Sequence, residues 1–155
     1  MNLDVFLATC KAAWRQSSRP SRDEILFPSV EVEVEILERF AERGQFDHSA
    51  KELFSMSDAM SFITDKAWHY WLPAYLLAIL QYPEDADVLP ERVADSLYRW
   101  NARDRLKLLS LDQLEVLKNY FTIRIESRFA TIGEDEAMVA VTRESHKRDT
   151  KDTAY

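Results

Sequence analysis

Apolar residues at Leu3, Phe6, Leu7, Cys10, Ala13 and Trp14 recur at helical spacing, with Asp4, Lys11 and Arg15 mainly on the opposite side. This predicts a first amphipathic helix that ends near "SSRPSR". The next segment, "PSVEVEVEILERFAERG", supports two periods at once. Val30, Val32, Val34 and Ile36 alternate with Glu31, Glu33 and Glu35 as in a strand, while Val30, Val34, Leu37 and Ala41 hold a helical stripe. Helix is preferred, because Ser29 stands where an N-cap belongs and Gly44 where a left-handed C-terminal residue belongs. A short strand over residues 30–36 stays open.

Farther on, side-chain caps punctuate the pattern. Ser49 with Glu52, and Ser110 with Gln113, have the capping-box spacing in which each side chain satisfies the other's free backbone N–H. Thr64 caps the central segment, Pro83 breaks the chain into an acidic loop, and a helix can start at Pro90, where a missing N–H costs nothing. Leu111, Leu114, Leu117, Phe121 and Ile125 give a long apolar face to a helix running into the high 120s. Residues 1–132 therefore read as one domain. Residues 133–155 read as an extension, with a short helix and then a mobile polar tail.

The central segment, "TDKAWHYWLPAYLLAIL", is apolar all round. From Ala67 to Leu80 only His69 is plainly polar, yet these 14 residues fall short of the ~20 that a membrane span needs. A helix of this kind is one that other helices surround. Pro73 lies in its middle, where proline removes one backbone hydrogen bond and costs ~3 kcal/mol. Trp68, Trp71, Leu72, Tyr75 and Ile79 keep one phase across it, which favours one bent helix over two joined at Leu72. In either case the His69 carbonyl needs another donor. The expectation is an all-α, single-domain bundle of about five to six helices around a Pro-kinked central helix, Thr64–Gln81.

Composition narrows the function classes. The chain has 155 residues, 46% hydrophobic and 30% charged, which is a globular composition. Only two glycines occur, too few for most sandwiches or phosphate-cradling loops. Twenty Lys and Arg against 27 Asp and Glu give a net charge of −7, so a nucleic-acid partner is not expected. Cys10 is the only cysteine, which excludes an intrachain disulfide, points to a core thiol and fits a reducing cytoplasm; the N-terminal sequence does not read as a signal peptide.

No chemistry-bearing motif stands out. His48, His69 and His146 lie far apart with no metal-ligand spacing, and no GxSxG, GxGxxG or phosphate-binding loop occurs. No catalytic, metal or cofactor residues are assigned. A catalytic reading would require His48 or His69 to face a cleft beside carboxylates. Ser61, Phe62, Ala67, Tyr70, Leu72, Pro73 and Ala74, followed by Leu109, Ser110 and Gln113, resemble an uncharacterised bacterial domain family with an "SF-x-T-x-x-A-x-x-Y-x-LPA" helix and a later "LS-x-x-Q" helix start. The resemblance implies a small bacterial cytoplasmic protein and carries no assigned activity.

By elimination, the preferred reading is a non-enzymatic acidic module that binds a basic protein, such as an immunity protein neutralising a bacterial toxin. Its candidate docking residues are Glu31, Glu33, Glu35, Glu38 and Glu42, with the loop carboxylates Glu84, Asp85 and Asp87. The alternative is a small-molecule binding or sensing domain with a pocket at the Pro73 bend, lined by Trp68, His69, Trp71 and Tyr75. No membrane contact is expected.

Overall fold

Thr64 adopts an extended backbone and its hydroxyl accepts the Ala67 N–H, so the most apolar segment of the chain becomes helical at Asp65. The computed structural model describes residues 2–27, 34–99 and 102–153. Among them are eight α-helices: α1 (Leu3–Ala13), α2 (Val34–Ala41), α3 (Ala50–Ser55), α4 (Asp65–Gln81), α5 (Leu89–Tyr98), α6 (Ala102–Leu108), α7 (Leu111–Glu126) and α8 (Glu134–Asp152). Two 3₁₀ turns, Arg22–Glu24 and Ser57–Ser61, complete the helical set. The fold is all-α. The nearest approach to a sheet among the described residues is a single antiparallel bridge between Leu26 and Ile63, which ties the first 3₁₀ turn to the start of α4.

α4 is the axis. Trp68, Trp71, Leu72, Tyr75, Leu76 and Ile79 are fully buried, and α1, α3, α5 and α6 all pack against this helix. α7 joins the bundle through α1, and α8 through α5 and α7. No helix among the described residues is long and apolar enough to cross a membrane.

The helix runs unbroken through Pro73, so the two-helix alternative is set aside. The carbonyl that Pro73 cannot engage, that of His69, accepts the indole N–H of Trp14 at 2.8 Å. Trp14 is the buried C-cap residue of α1. One residue on, the Tyr70 carbonyl accepts the Gln45 side-chain amide at 2.6 Å. Two neighbouring segments thus donate to successive carbonyls beside the proline, which converts a helix defect into tertiary attachment points.

Three expectations change. The helix count is higher, because α6 was not anticipated: its seven residues carry Arg103, Asp104, Arg105 and Lys107, which mask a short apolar pattern. Residues 133–155 do not form a short helix and a tail. α8 has 19 residues, and its Ala137 and Val141 lie in the same core as α4, so the core continues past the expected boundary at 132. Gly44 does not have a positive φ, a feature confined among the described glycines to Gly133. Its backbone N–H instead meets Asp47 Oδ2 at 2.8 Å, and a Cβ there would come within 2.5 Å of that oxygen. Close approach, not handedness, selects this glycine. The strand-or-helix question over residues 30–36 is answered only from Val34 onward, where the chain is helical; Ser29 and residues 30–33 lie outside the described residues.

The Trp14 bond has a specific energetic signature. Trp14→Phe strands the His69 carbonyl and is expected to cost about 1–3 kcal/mol in urea denaturation beyond its packing loss. In a Pro73→Ala background, where residue 73 regains an N–H for that carbonyl, the cost should shrink by ~1 kcal/mol. Equal costs in the two backgrounds would show that the bond carries no such coupling.

Candidate functional site

Trp68, Trp71 and Tyr75 do not line an open pocket. All three are fully buried, and each is walled in by packed neighbours. The Trp68 indole donates to Ser96 Oγ at 3.0 Å, and the Arg105 guanidinium sits 5.4 Å from its ring while pairing with Asp65 at 3.0 Å. Trp71 packs against Phe40, with ring centroids 4.7 Å apart, and meets Tyr70 edge-on. The Trp71 indole nitrogen and the Tyr75 hydroxyl have no hydrogen-bond partner among the described residues, and burial pushes the Tyr75 ionisation upward.

His69 alone of the four reaches an open surface, a groove of about 360 Å³ between the end of α1 and the start of α7. Its Nε2 lies 2.9 Å from Gln113 Oε1. The amide of Gln113 donates to the Ala13 carbonyl at 3.0 Å, which leaves Oε1 as the acceptor and makes His69 Nε2 the donor. That oxygen also accepts the Ser110 N–H and closes the capping box of α7. Gln113 thus joins α1, α4 and α7 through one side chain. Partial burial lowers the His69 pKa, with the Gln113 bond opposing.

His48 is buried against Phe40 and Trp71 and does not face a cleft. Among the described residues its ring nitrogens have no hydrogen-bond partner; Glu52 approaches to 3.5 Å but is committed to Arg43 and to the Ser49 cap. Desolvation lowers its pKa, outweighing the attraction of Glu52. Cys10 is buried on α1, and burial pushes its thiol up to about 12, so a neutral-pH thiolate is disfavoured. Among the described residues no group of three or more His, Cys, Asp or Glu side chains is placed to hold a metal ion.

The acidic candidates separate into two sets. On α2, Glu35 pairs with Arg39 at 2.5 Å and Glu38 lies 3.8 Å from Arg22, so this face is partly neutralised; Glu42 is exposed, while Glu31 and Glu33 lie outside the described residues. The loop between α4 and α5 differs. Successive turns, Asp85 N–H to Tyr82 carbonyl at 3.1 Å and Leu89 N–H to Ala86 carbonyl at 3.0 Å, fix its backbone, and Ala86 is buried as its anchor. Glu84, Asp85 and Asp87 point outward, and Asp87 takes a left-handed backbone with φ of 48°. Glu84 meets Arg128 at 3.2 Å; Asp85 and Asp87 make no ion pair among the described residues.

Arg128 belongs to the α7–α8 turn, which is held from within. Arg124, buried near the end of α7, donates to Glu134 at 2.7 Å and to the Phe129 carbonyl at 2.6 Å. Glu134, also buried, accepts the Thr131 N–H at 2.8 Å. Breaking such a pair from one side typically costs ~3–5 kcal/mol, because the other charge stays buried. Gly133, at φ 93°, leaves no room for a side chain: a Cβ would lie 2.8 Å from the Tyr98 hydroxyl. The Glu84–Arg128 contact sets the two loops side by side at one end of the bundle.

Three exposed apolar residues stand at this end: Tyr82, 45% exposed, Val88, 38%, and Ile132, 79%. Glu91, Asp135 and Glu136 add exposed carboxylates on the first turns of α5 and α8, where they also complement the helix dipoles. Sequence reading located the loop carboxylates but missed Tyr82, Val88 and Ile132, since a lone apolar residue beside a turn carries no periodic signal. No family model matches the chain, and neither the curated proteins nor the solved structures give a significant match.

His48, buried, and His69, partly buried, dictate a pH response. Both have folded-state pKa values below the ordinary 6.5, so the unfolded chain binds protons more readily in that range. Stability present above pH 6.5 should fall as the pH drops through it, levelling off below the lowered folded values. Urea midpoints measured between about pH 7.5 and 5, above the carboxylate range, should decline, and His48→Phe should remove part of that slope. An unchanged slope in the variant would show that His48 does not contribute.

Proposed function

We propose that this chain is a non-enzymatic protein-binding module that docks a basic partner on the acidic end of its bundle, as an immunity protein docks a toxin. The observation that carries the reading is the α4–α5 loop, where a fixed backbone holds Asp85 and Asp87 unpaired beside exposed Tyr82 and Val88. An aromatic anchor costs little entropy to immobilise, and flanking carboxylates steer a cationic partner and fix its register. The partly neutralised α2 face is the weaker candidate. A photo-crosslinking residue at Tyr82 should capture the partner covalently in the native host. With that partner purified, Asp85→Lys/Asp87→Lys should weaken binding roughly tenfold or more at low salt and flatten its salt dependence, while Glu35→Lys/Glu38→Lys changes it little. Unchanged affinity in the loop variant would reject this surface.

A second reading rests on the His69 groove. Ser17 Oγ is buried there without a hydrogen-bond partner among the described residues, and Arg15 and Asp112 also line it, a donor and acceptor set suited to a small polar ligand. A fragment screen read by the His69 ring resonances should then give saturable shifts that Arg15→Ala/Asp112→Ala weakens severalfold. No shift at millimolar fragment would remove this reading.

A further inference from the structure

A second groove runs along α8 at its junction with α5 and α6, and its charge is opposite to that of the protein as a whole. It holds about 590 Å³. Leu97, Leu106 and Ala140 form its apolar floor. Arg103 and Lys107 stand on the α6 wall, Arg143 and Lys147 on the α8 wall, and all four are exposed. Within the described residues their nearest carboxylate is Asp104, 4.0 Å from Lys107 with both side chains largely in solvent. The groove's own carboxylates do not cancel them, since Glu144 is committed to Arg148 at 2.9 Å and Glu136 stands in the first turn of α8, toward the opposite end of the helix from Lys147.

The spacing is regular. Arg103 and Lys107 are four residues apart on one helix, as are Arg143 and Lys147 on the other. Each pair therefore presents two cations about 6 Å apart along its helix axis. Four like charges gathered around an apolar floor repel one another, and an external anion would relieve that repulsion. Val139, 55% exposed on the rim, extends the apolar surface outward.

We propose that this groove docks an acidic amphipathic helix of a partner protein, its apolar stripe on Val139, Ala140 and the edge of Leu106 and its carboxylates, at four-residue spacing, against the two cation pairs. The span from Glu136 to Lys147 accommodates roughly three helical turns. A nucleic acid is the poorer fit, because an apolar floor gives phosphates nothing and the net charge of −7 repels them at longer range. The groove shares only Glu136 with the acidic end and carries the opposite sign, so either can fail without the other.

The test uses fluorescence anisotropy with a labelled peptide of about 14 residues, a length at which isolated helices are marginal, with Leu on one face and Glu at four-residue spacing on its flanks. A permuted peptide of identical composition, a DNA duplex and anionic phosphatidylserine vesicles serve as competing probes. Saturable peptide binding is expected, weakened roughly tenfold or more by Arg103→Glu/Lys147→Glu, with the permuted peptide weaker by a similar factor and Asp85→Lys/Asp87→Lys without effect. Lys107→Glu/Arg143→Glu is a second pair should the first fail to fold by circular dichroism. Absence of saturation at ~1 mM peptide, equal binding of the permuted peptide, indifference to both variant pairs, or tighter binding of DNA or vesicles would each overturn the proposal.

Discussion

The indole N–H of Trp14 and the carbonyl of His69 lie 55 residues apart in sequence and 2.8 Å apart in space, and the bundle is organised around that contact. A proline in a helix leaves a carbonyl without its helical partner, so the helix is most tenable where another element supplies the proton. Trp14 supplies it because α1 ends at Ala13, which sets its first residue past the helix against the waist of α4. The position of α1 then determines that of α7, through Gln113, whose amide reaches the Ala13 carbonyl while its oxygen receives the His69 ring and the Ser110 N–H. A constraint that begins as a local defect becomes the register of three helices.

Buried charge does similar work at the helix ends. Arg124 and Glu134 close the turn between α7 and α8, and Arg148 caps the Leu106 and Leu109 carbonyls at the end of α6. In each case a cationic side chain satisfies carbonyls that a helix terminus or turn leaves free. The interior is less thorough elsewhere: Trp71, Tyr75 and Tyr120 each bury a polar atom without a partner. Those groups lie where side-chain volume, not hydrogen bonding, decides the residue.

Much of the fold was legible because its signals are local. Thr64, and the capping boxes at Ser49 and Ser110, mark helix starts through bonds only three residues long, and all three form. The all-round apolarity of Ala67–Leu80 likewise foretold a surrounded helix. α8 was expected only as a short helix because its buried apolar face is thin, with Ala137 and Val141 buried between charged neighbours. Its order comes from partners distant in sequence, which no local pattern displays. The same limit applies to function. Sequence could name Asp85 and Asp87, but whether a carboxylate is neutralised depends on what folds beside it, and there the α2 and loop sets part. Trp68, Trp71 and Tyr75 looked like pocket walls because aromatic clusters serve both pockets and cores.

Arg148 sits 42 residues beyond the Leu106 carbonyl and 39 beyond that of Leu109. During synthesis, α4 and α6 are translated before the residue that caps α6. The Ala13 carbonyl has a comparable wait, since its donor Gln113 lies 100 residues later. A nascent chain can form its helices as they emerge but cannot fix their register until translation has passed residue 148. The apolar segment around Pro73 therefore waits for its later partners, and it is a stretch for which a chaperone would compete.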